Sequence, residues 1–524
     1  MKFLYHGIGL LFLARLSFAI TPDGRIHANR PPRPSIPKLP LPPTDTPVAS
    51  RNGTQLPPYN MVYYFDQLID HNNPSAGTFQ QRYWHTYEFY ESGGPIILST
   101  PGEVAADAYY TYLTNSTING QIAQQLSGST IVLEHRFFGE SNPHSDLSVT
   151  SLRVHTIQQA IDDFEYFANN VQLPMPNGNA VAPGKAPWIL IGGSYAGALT
   201  AYTMVNKPGL FEAGYASSAV VQAMVDYWGY FEPIMQHMPA NCSADVQAVI
   251  AQVDSVLNSG NTNSINSLKE MFGVSNLSHL DDFAAVLRNN LFDWQSLQPT
   301  SGPGGAFYQF CDALEVKNGV SAGASGWGLT HALQAWGSYW TNTYIPSICG
   351  GLDAEDCLGT YDSTNPSWTN TAIPNAERSW EWLVCNQFGF FYDGPPAGQP
   401  AIVSRLVQPA YDERHCAYMF PGAFNSSTPT PNATGTIAAY GGWNISVDRL
   451  MFANGQRDPW LEATVGAAGT LAAKTTGLTP HALSDGFHCS DLLTRSNVDP
   501  SIKNVQANAT MFMVQWIASW VPSA

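Results

Sequence analysis

Trp188-Ile-Leu-Ile-Gly192-Gly193-Ser194-Tyr195-Ala196-Gly197-Ala198 is four apolar residues, a turn of small residues carrying one hydroxyl, and a helix-forming stretch. A strand entering such a turn and a helix leaving it hold a serine Oγ clear of the backbone, and its neighbours must be small because the two elements approach closely. This spacing predicts a nucleophile elbow with Ser194 at its apex. The N–H of Tyr195, at the start of the predicted helix, is placed to stabilise an oxyanion. The pattern is G-x-S-x-A-G, so its meaning depends on partners elsewhere in the chain.

Two later segments supply them. Phe452-Ala-Asn454-Gly455-Gln-Arg457-Asp458-Pro459-Trp460 and Asp485-Gly486-Phe487-His488-Cys489-Ser490-Asp491 each bring polar residues into a loop after an apolar or Gly-containing approach. Serine, acid, histidine is the chain order of α/β-hydrolases. Ser194 is therefore the candidate nucleophile, His488 the base and Asp458 the group that orients the imidazole. Asp485 and Asp491 compete for the acid, and His135 and His481 for the base. Thr100-Pro101-Gly102-Glu103 follows an apolar run, where hydrolases place a second oxyanion donor, so an N–H near Gly102 or Glu103 is expected there. The Glu103 carboxylate reads equally as a group that binds a substrate amine or shares a proton in an acidic site and as an exposed turn carboxylate. In Glu134-His135-Arg136 an Arg136–Glu pair bracing the loop is expected ahead of direct chemistry. No metal, nucleotide or dinucleotide motif stands in a credible context, so no cofactor and no metal are expected.

The chain has 524 residues with a net charge of −17, 44% hydrophobic and 12% charged residues. That length suits a hydrolase body with an inserted domain. Residues 1–19 read as a secretory signal, and 20–58 as a Pro-rich leader or propeptide without apolar periodicity, which is not expected to pack a core. Residues 59–225 carry predicted strands at Tyr63–Phe65, Phe79–Trp84, 95–100, 130–136, 188–191 and 213–221 and an amphipathic helix over 157–171. Residues 226–434, rich in tryptophan and holding six of the seven cysteines, predict a helical cap; 435–524 return to the body with a strand at 447–453 and a closing helix. The fold class is thus α/β: a mostly parallel sheet with helices on both faces and a large inserted helical cap.

Secretion is also implied by sequons at Asn52, Asn115, Asn241, Asn276, Asn425, Asn432, Asn444 and Asn508, and by a cysteine count that suits an oxidising compartment. The simplest pairing is sequential, 242–311, 349–357 and 385–416, leaving Cys489 free. Residues 1–58 hold seven Lys/Arg against two Asp, so the rest carries 16 basic and 38 acidic residues, a charge of −22. Such a body is a poor nucleic-acid ligand and fits an acidic medium. No stretch is long enough to span a bilayer. Composition and spacing leave the oligomeric state open.

Gly192-Gly-Ser194-Tyr-Ala-Gly197, Glu134-His-Arg136, Asn454-Gly-Gln-Arg-Asp458-Pro-Trp460 and Gly486-Phe-His488 together resemble the secreted and lysosomal serine peptidase family of Pro-X carboxypeptidase and dipeptidyl peptidase II, and within it the fungal acid prolyl endopeptidases. The resemblance runs from about Tyr63 to the C-terminus. It implies cleavage of peptides on the carboxyl side of proline, often at acidic pH, in the extracellular space or an acidic vacuolar or lysosomal-type compartment. It carries the triad over as Ser194, Asp458 and His488 and puts Trp460 at the proline pocket, with Trp382, in Trp380-Glu-Trp382-Leu-Val-Cys385-Asn, as a further substrate-binding residue. Ala198 stands where the animal carboxypeptidase has methionine, so the pocket floor is expected to be wider, and the endo or exo mode stays open. Gly193 replaces the glutamate with which wheat-type serine carboxypeptidases hold a substrate's carboxylate, which favours cleavage within a peptide.

Overall fold

Apolar residues in the central strands alternate between two cores, and this alternation builds the molecule. In a strand successive side chains point to opposite faces. Ile96 and Leu98, Ile131 and Leu133, and Trp188 and Leu190 enter one core, while Ile97, Val132, Ile189 and Ile191 enter the other. A sheet buried on both faces reads as a near-continuous apolar run, as these segments do.

The computed structural model describes residues 27–44, 46–424, 431–467 and 475–522. Its main sheet has eight strands: β1 (Tyr63–Leu68), β2 (Thr78–Thr86), β3 (Ile96–Ser99), β4 (Ser129–Leu133), β5 (Trp188–Gly193), β6 (Ala213–Ser217), β7 (Leu450–Gly455) and β8 (His481–Ser484). Their spatial order is β8-β7-β6-β5-β3-β4-β2-β1. Pairing is parallel from β8 through β4 and antiparallel for β4–β2 and β2–β1. Helix α1 (Ile118–Leu126) and the C-terminal helix of Pro500–Ala518 cover one face through Ile118, Ile122, Ala509 and Met513. Helices α2 (Ile157–Asn170) and α3 (Ser194–Asn206) cover the other through Ile161, Phe164, Leu199 and Tyr202. This is an α/β-hydrolase sheet.

Between β6 and β7 the chain leaves the sheet for a helical cap that includes α4 (Ala240–Asn258), α5 (Ala306–Glu315), α6 (Leu329–Tyr339), α7 (Ala376–Leu383) and α8 (Pro409–Met419). Disulfides Cys242–Cys311, Cys349–Cys357 and Cys385–Cys416 staple it, and Cys489 is free and buried. Expected strand ends move inward: the run at 130–136 stops pairing at Leu133, and the one at 213–221 at Ser217. The signal segment and Asn425 lie outside the described residues. Asn52, Asn115, Asn276, Asn432, Asn444 and Asn508 are exposed and Asn241 is half-buried.

The leader departs from its reading as a segment that packs no core. Ala28 and Ile36 are 3% and 4% exposed and join the two cores, and His27, Asn29 and Arg30 are buried as well. Proline at 31, 32, 34, 37 and 40 removes N–H groups, so mainly carbonyls need partners. Side chains of the body supply them: Asn289 Nδ2 donates to Ala28 O (2.7 Å), Gln295 Nε2 to Arg33 O (2.8 Å), Tyr109 Oη to Ile36 O (3.3 Å) and Tyr112 Oη to Pro37 O (2.8 Å). A segment held by donors on other elements needs no apolar stripe of its own, so its burial leaves no periodic mark in the sequence.

Candidate active site

The turn from β5 into α3 is built by steric demand. Ser194 has φ 58°, a left-handed conformation that costs an L-residue about 1–2 kcal/mol and persists only where the surroundings enforce it. A Cβ on Gly192 would lie 2.1 Å from Ala196 O, and one on Gly197 2.8 Å from Ser217 O. No larger residue fits either place. Tyr195 follows as the first residue beyond the turn, its ring buried beside Trp380 and Phe388. Ala198 lies one turn further along α3, buried in the core.

Beyond β7 and β8, two loops meet. His488 Nδ1 lies 2.8 Å from Asp458 Oδ1, and both side chains are buried. Asp458 Oδ1 also accepts the Trp460 N–H at 2.9 Å. Burial opposes a charge on His488, but the Asp458 carboxylate beside it reverses the balance and holds the imidazole well above the usual histidine range. The rival acids are engaged elsewhere: Asp485 pairs with Arg457 at 2.6 Å, and Asp491 accepts from Tyr215 Oη (2.6 Å) and Ser217 Oγ (2.8 Å). His135 bonds Tyr195 Oη at 3.0 Å, and His481 packs on Phe452. The Ser194 turn and the His488 loop abut, since a Cβ on Gly193 would come within 2.9 Å of Cys489 Sγ.

The Ser194 hydroxyl, however, donates to the carbonyl oxygen of Pro34. His488 Nε2 has no hydrogen-bond partner among the described residues. The leader thus takes up the hydroxyl of the candidate nucleophile, and the candidate base is left without a partner at Nε2.

At the loop after β3, Gly102 adopts φ 76°, which brings its backbone against α3: a Cβ there would be 3.4 Å from Ala196 N. The Gly102 N–H is already committed to Thr100 Oγ1 at 3.2 Å, which leaves the Glu103 N–H as the candidate second donor. Glu103 itself is not an exposed turn carboxylate. It is fully buried, and neither carboxyl oxygen has a hydrogen-bond partner among the described residues. Burial pushes its pKa up to about 8 against the pull of its own backbone N–H, Arg33 and His488. The expected Arg136–Glu brace forms with other partners: Arg136 bonds Asp163 of α2, while Glu134 pairs with Arg82 at 2.6 Å. Arg136 lies three residues beyond the end of β4, where its guanidinium reaches Asp163 of α2 through Nε at 2.7 Å.

Trp460 is fully buried in an aromatic cage, its ring 5.2 Å from Phe390, 5.3 Å from Tyr227, 5.6 Å from Tyr230 and 5.8 Å from Tyr392, with His488 at 6.3 Å. Trp382 lies apart from this cage: its indole donates to His155 O (2.9 Å) and packs on Phe420 and Phe424. Two residues earlier on α7, Trp380 packs against Tyr195 instead.

Sequence reasoning missed a short cap segment, Asp293–Ser296 and its exit, that ties the loops together. Trp294 Nε1 donates to Arg457 O (2.7 Å) and Gln298 Nε2 to His488 O (3.1 Å). Gln295 Oε1 accepts from Trp460 Nε1 (2.8 Å) and Tyr230 Oη (3.1 Å), which turns its Nε2 toward Arg33 O. Nothing in the spacing of 294–298 relates it to the motifs, so no sequence signal marks it.

Buried titratable groups give stability a definite pH profile. Burial raises Glu103 to about 8, Asp393 to about 7 and Asp491 to about 6, so the folded chain holds protons that the unfolded chain releases above about pH 4.5, and stability falls as pH rises through these values. Burial lowers His85 to about 3 and His135 to about 4, and His155 and His415 well below the usual range, so stability also falls as pH drops below about 6.5. The expected result is a melting temperature that peaks between about pH 4.5 and 6.5. Calorimetry across pH 3–9 checks it, and a melting temperature still climbing from pH 7 to 8 would refute it.

Comparison with known proteins agrees with this architecture. Residues 67–509 match the family described as serine carboxypeptidase S28. The chain is 35% identical over 498 residues to "Serine protease vicPa" of Bipolaris victoriae (strain FI3), covering 91% of this chain and 90% of that one. It is 32% identical to the "Probable extracellular serine carboxypeptidase" of Arthroderma benhamiae, covering 87% and 67%, and 26% identical to the human "Thymus-specific serine protease", covering 87% and 86%. No helix among the described residues is long and apolar enough to cross a membrane. An α/β-hydrolase sheet, a strained serine between strand and helix, and a family match spanning most of the sequence lead to one conclusion: this chain is a serine peptidase belonging to the serine carboxypeptidase S28 family.

Proposed function

We propose that this peptidase is secreted and cleaves peptide bonds on the carboxyl side of proline within a polypeptide, in an acidic medium, through an acyl-enzyme on Ser194. One observation carries the reading. A continuous stretch of the chain runs past Ser194 with a proline carbonyl on the hydroxyl, residues 28–33 held by the cap on one side and residues 36–37 held by Tyr109 and Tyr112 on the other. A cleft that takes backbone on both sides of the nucleophile suits an endopeptidase. The exposed sequons and three disulfides support export, and the stability maximum expected below neutrality supports an acidic setting.

In this reading residues 59–225 and 435–524 form one catalytic body and 226–434 its cap. Ser194 Oγ attacks the prolyl carbonyl carbon and gives its proton to Nε2 of the neutral His488 imidazole, the minor form in acid because Asp458 favours the imidazolium, so turnover rises as His488 loses its proton. The N–H groups of Tyr195 and Glu103 receive the developing oxyanion, and Asp458 holds the imidazole and stabilises its charge. The protonated His488 then hands the proton to the leaving amine, and water repeats the sequence on the ester. Trp460 and its ring partners supply the flat apolar wall that a pyrrolidine ring requires.

The test is mass spectrometry of products from a peptide blocked at both ends with a single internal proline, in excess over protein nicked at the exposed Lys38 after folding. Cleavage directly after proline is expected. If only peptides with a free end are cut, the endopeptidase mode is wrong; if esters alone turn over, so is the peptide specificity.

A further inference from the structure

The leader's two arginines land on acidic groups. Arg33, directly before the proline whose carbonyl meets Ser194, points its guanidinium at Glu377 of α7, with Nε 3.3 Å from Oε1. Arg30, four residues before the proline, is fully enclosed: it pairs with Glu381 of the same helix and contacts His415 Nδ1 at 2.7 Å. Glu377 and Glu381 are one helical turn apart, so both carboxylates face the leader from one side of α7. Carboxylates that are 5% and 7% exposed are costly to bury unless a cation meets them. The leader provides those cations, and it does so at the positions where a bound polypeptide would place the side chains preceding its cleavage site.

We infer that Glu377 is a specificity-determining residue that selects an arginine or lysine directly before the proline, with Glu381 favouring a second basic side chain three residues further toward the N-terminus, and that the leader Arg30–Pro34 uses these same subsites to plug the cleft. The plug is not consumed, because the Ser194 proton is spent on the carbonyl oxygen and His488 Nε2 is not hydrogen-bonded to the hydroxyl. This inference rests on the prolyl-peptidase reading above.

Two measurements test it on the full-length protein. The first is the rate at which a fluorophosphonate labels Ser194 in the intact chain. Arg33→Gln and Glu377→Gln should each speed labelling about tenfold by loosening the plug, and the double variant should gain no more than either alone, since both remove one interaction. Unchanged rates, or a double variant faster by the product of the two, would overturn the plug and its contact. The second uses protein nicked at Lys38 and end-blocked peptides identical except for arginine or citrulline before the proline. Cleavage efficiency should favour arginine about tenfold, and Glu377→Gln should collapse that ratio toward one. Equal cleavage by the parent protein, or a ratio untouched by the substitution, would overturn the specificity. If labelling follows the expected pattern but no peptide is cut after proline, the prolyl reading fails, and the selection before proline fails with it.

Discussion

Ser194→Ala is expected to lower turnover of an end-blocked proline peptide by on the order of 10⁴- to 10⁶-fold, the loss found when a hydrolase's nucleophile is removed but its binding groups remain. The substitution deletes one oxygen from a fully buried site. Alanine must then occupy φ 58°, a cost of about 1–2 kcal/mol that serine already bears, and the hydrogen bond to Pro34 is lost. The folded structure should therefore survive, with a melting temperature only a few degrees lower. Covalent labelling by a fluorophosphonate should disappear altogether. Turnover within tenfold of the parent by a folded Ser194→Ala protein would remove Ser194 from the chemistry.

Asp458→Asn should cost about 10⁴-fold in turnover, with substrate affinity less affected. Asp458 Oδ1 accepts at once from His488 Nδ1 and from the Trp460 N–H, so its position is fixed from two sides. An asparagine that keeps its oxygen toward the Trp460 N–H still loses the negative charge that stabilises the imidazolium. One that turns its amide toward Nδ1 forces the hydrogen onto Nε2, where a base is needed. The same change at Asp485, which pairs with Arg457 and is 43% exposed, should leave turnover within about twofold of the parent. Comparable losses at the two positions would mean that the acid has been misassigned. Steady-state kinetics on the two variants, with folding checked by circular dichroism, decides between them.

Both expectations concern residues that stand out before any coordinates. The elbow is legible because close approach of strand and helix leaves room only for small residues around Ser194, a constraint confined to six consecutive positions. The strands β3, β4 and β5 are legible because a sheet covered on both faces needs uninterrupted apolar runs. The disulfides could be guessed because the simplest pairing joins successive cysteines, even though Cys242 and Cys311 are 69 residues apart. Trp380 and Trp382 show the limit of such reading. Two residues apart on α7, they point to different sides, one to Tyr195 and the other to His155, and a motif match cannot tell them apart.

The leader shows why the rest was hidden. Its prolines and lack of periodicity say that it builds no core of its own, and the regular structure it forms among the described residues is one short antiparallel pairing of Val48–Ala49 with Gln55–Leu56, but absence of a self-made core does not mean absence of a place in the cores of the body. Its carbonyls are met by Asn289, Gln295, Tyr109 and Tyr112, and its arginines by Glu377 and Glu381, donors and acceptors scattered over nearly 300 residues of sequence. The segments that become the central strands, the small-residue elbow around Ser194 and the acid and base candidates are local properties, written in consecutive residues by steric size and apolar runs, whereas the order of the strands in the sheet is set by long-range pairing. That a proline carbonyl rests on the serine, that Glu103 is buried without a hydrogen-bond partner, and that two glutamates face two arginines follow from packing between distant segments. Only the folded chain brings those together, because pairing energies depend on distance in space and leave no periodic trace along the sequence.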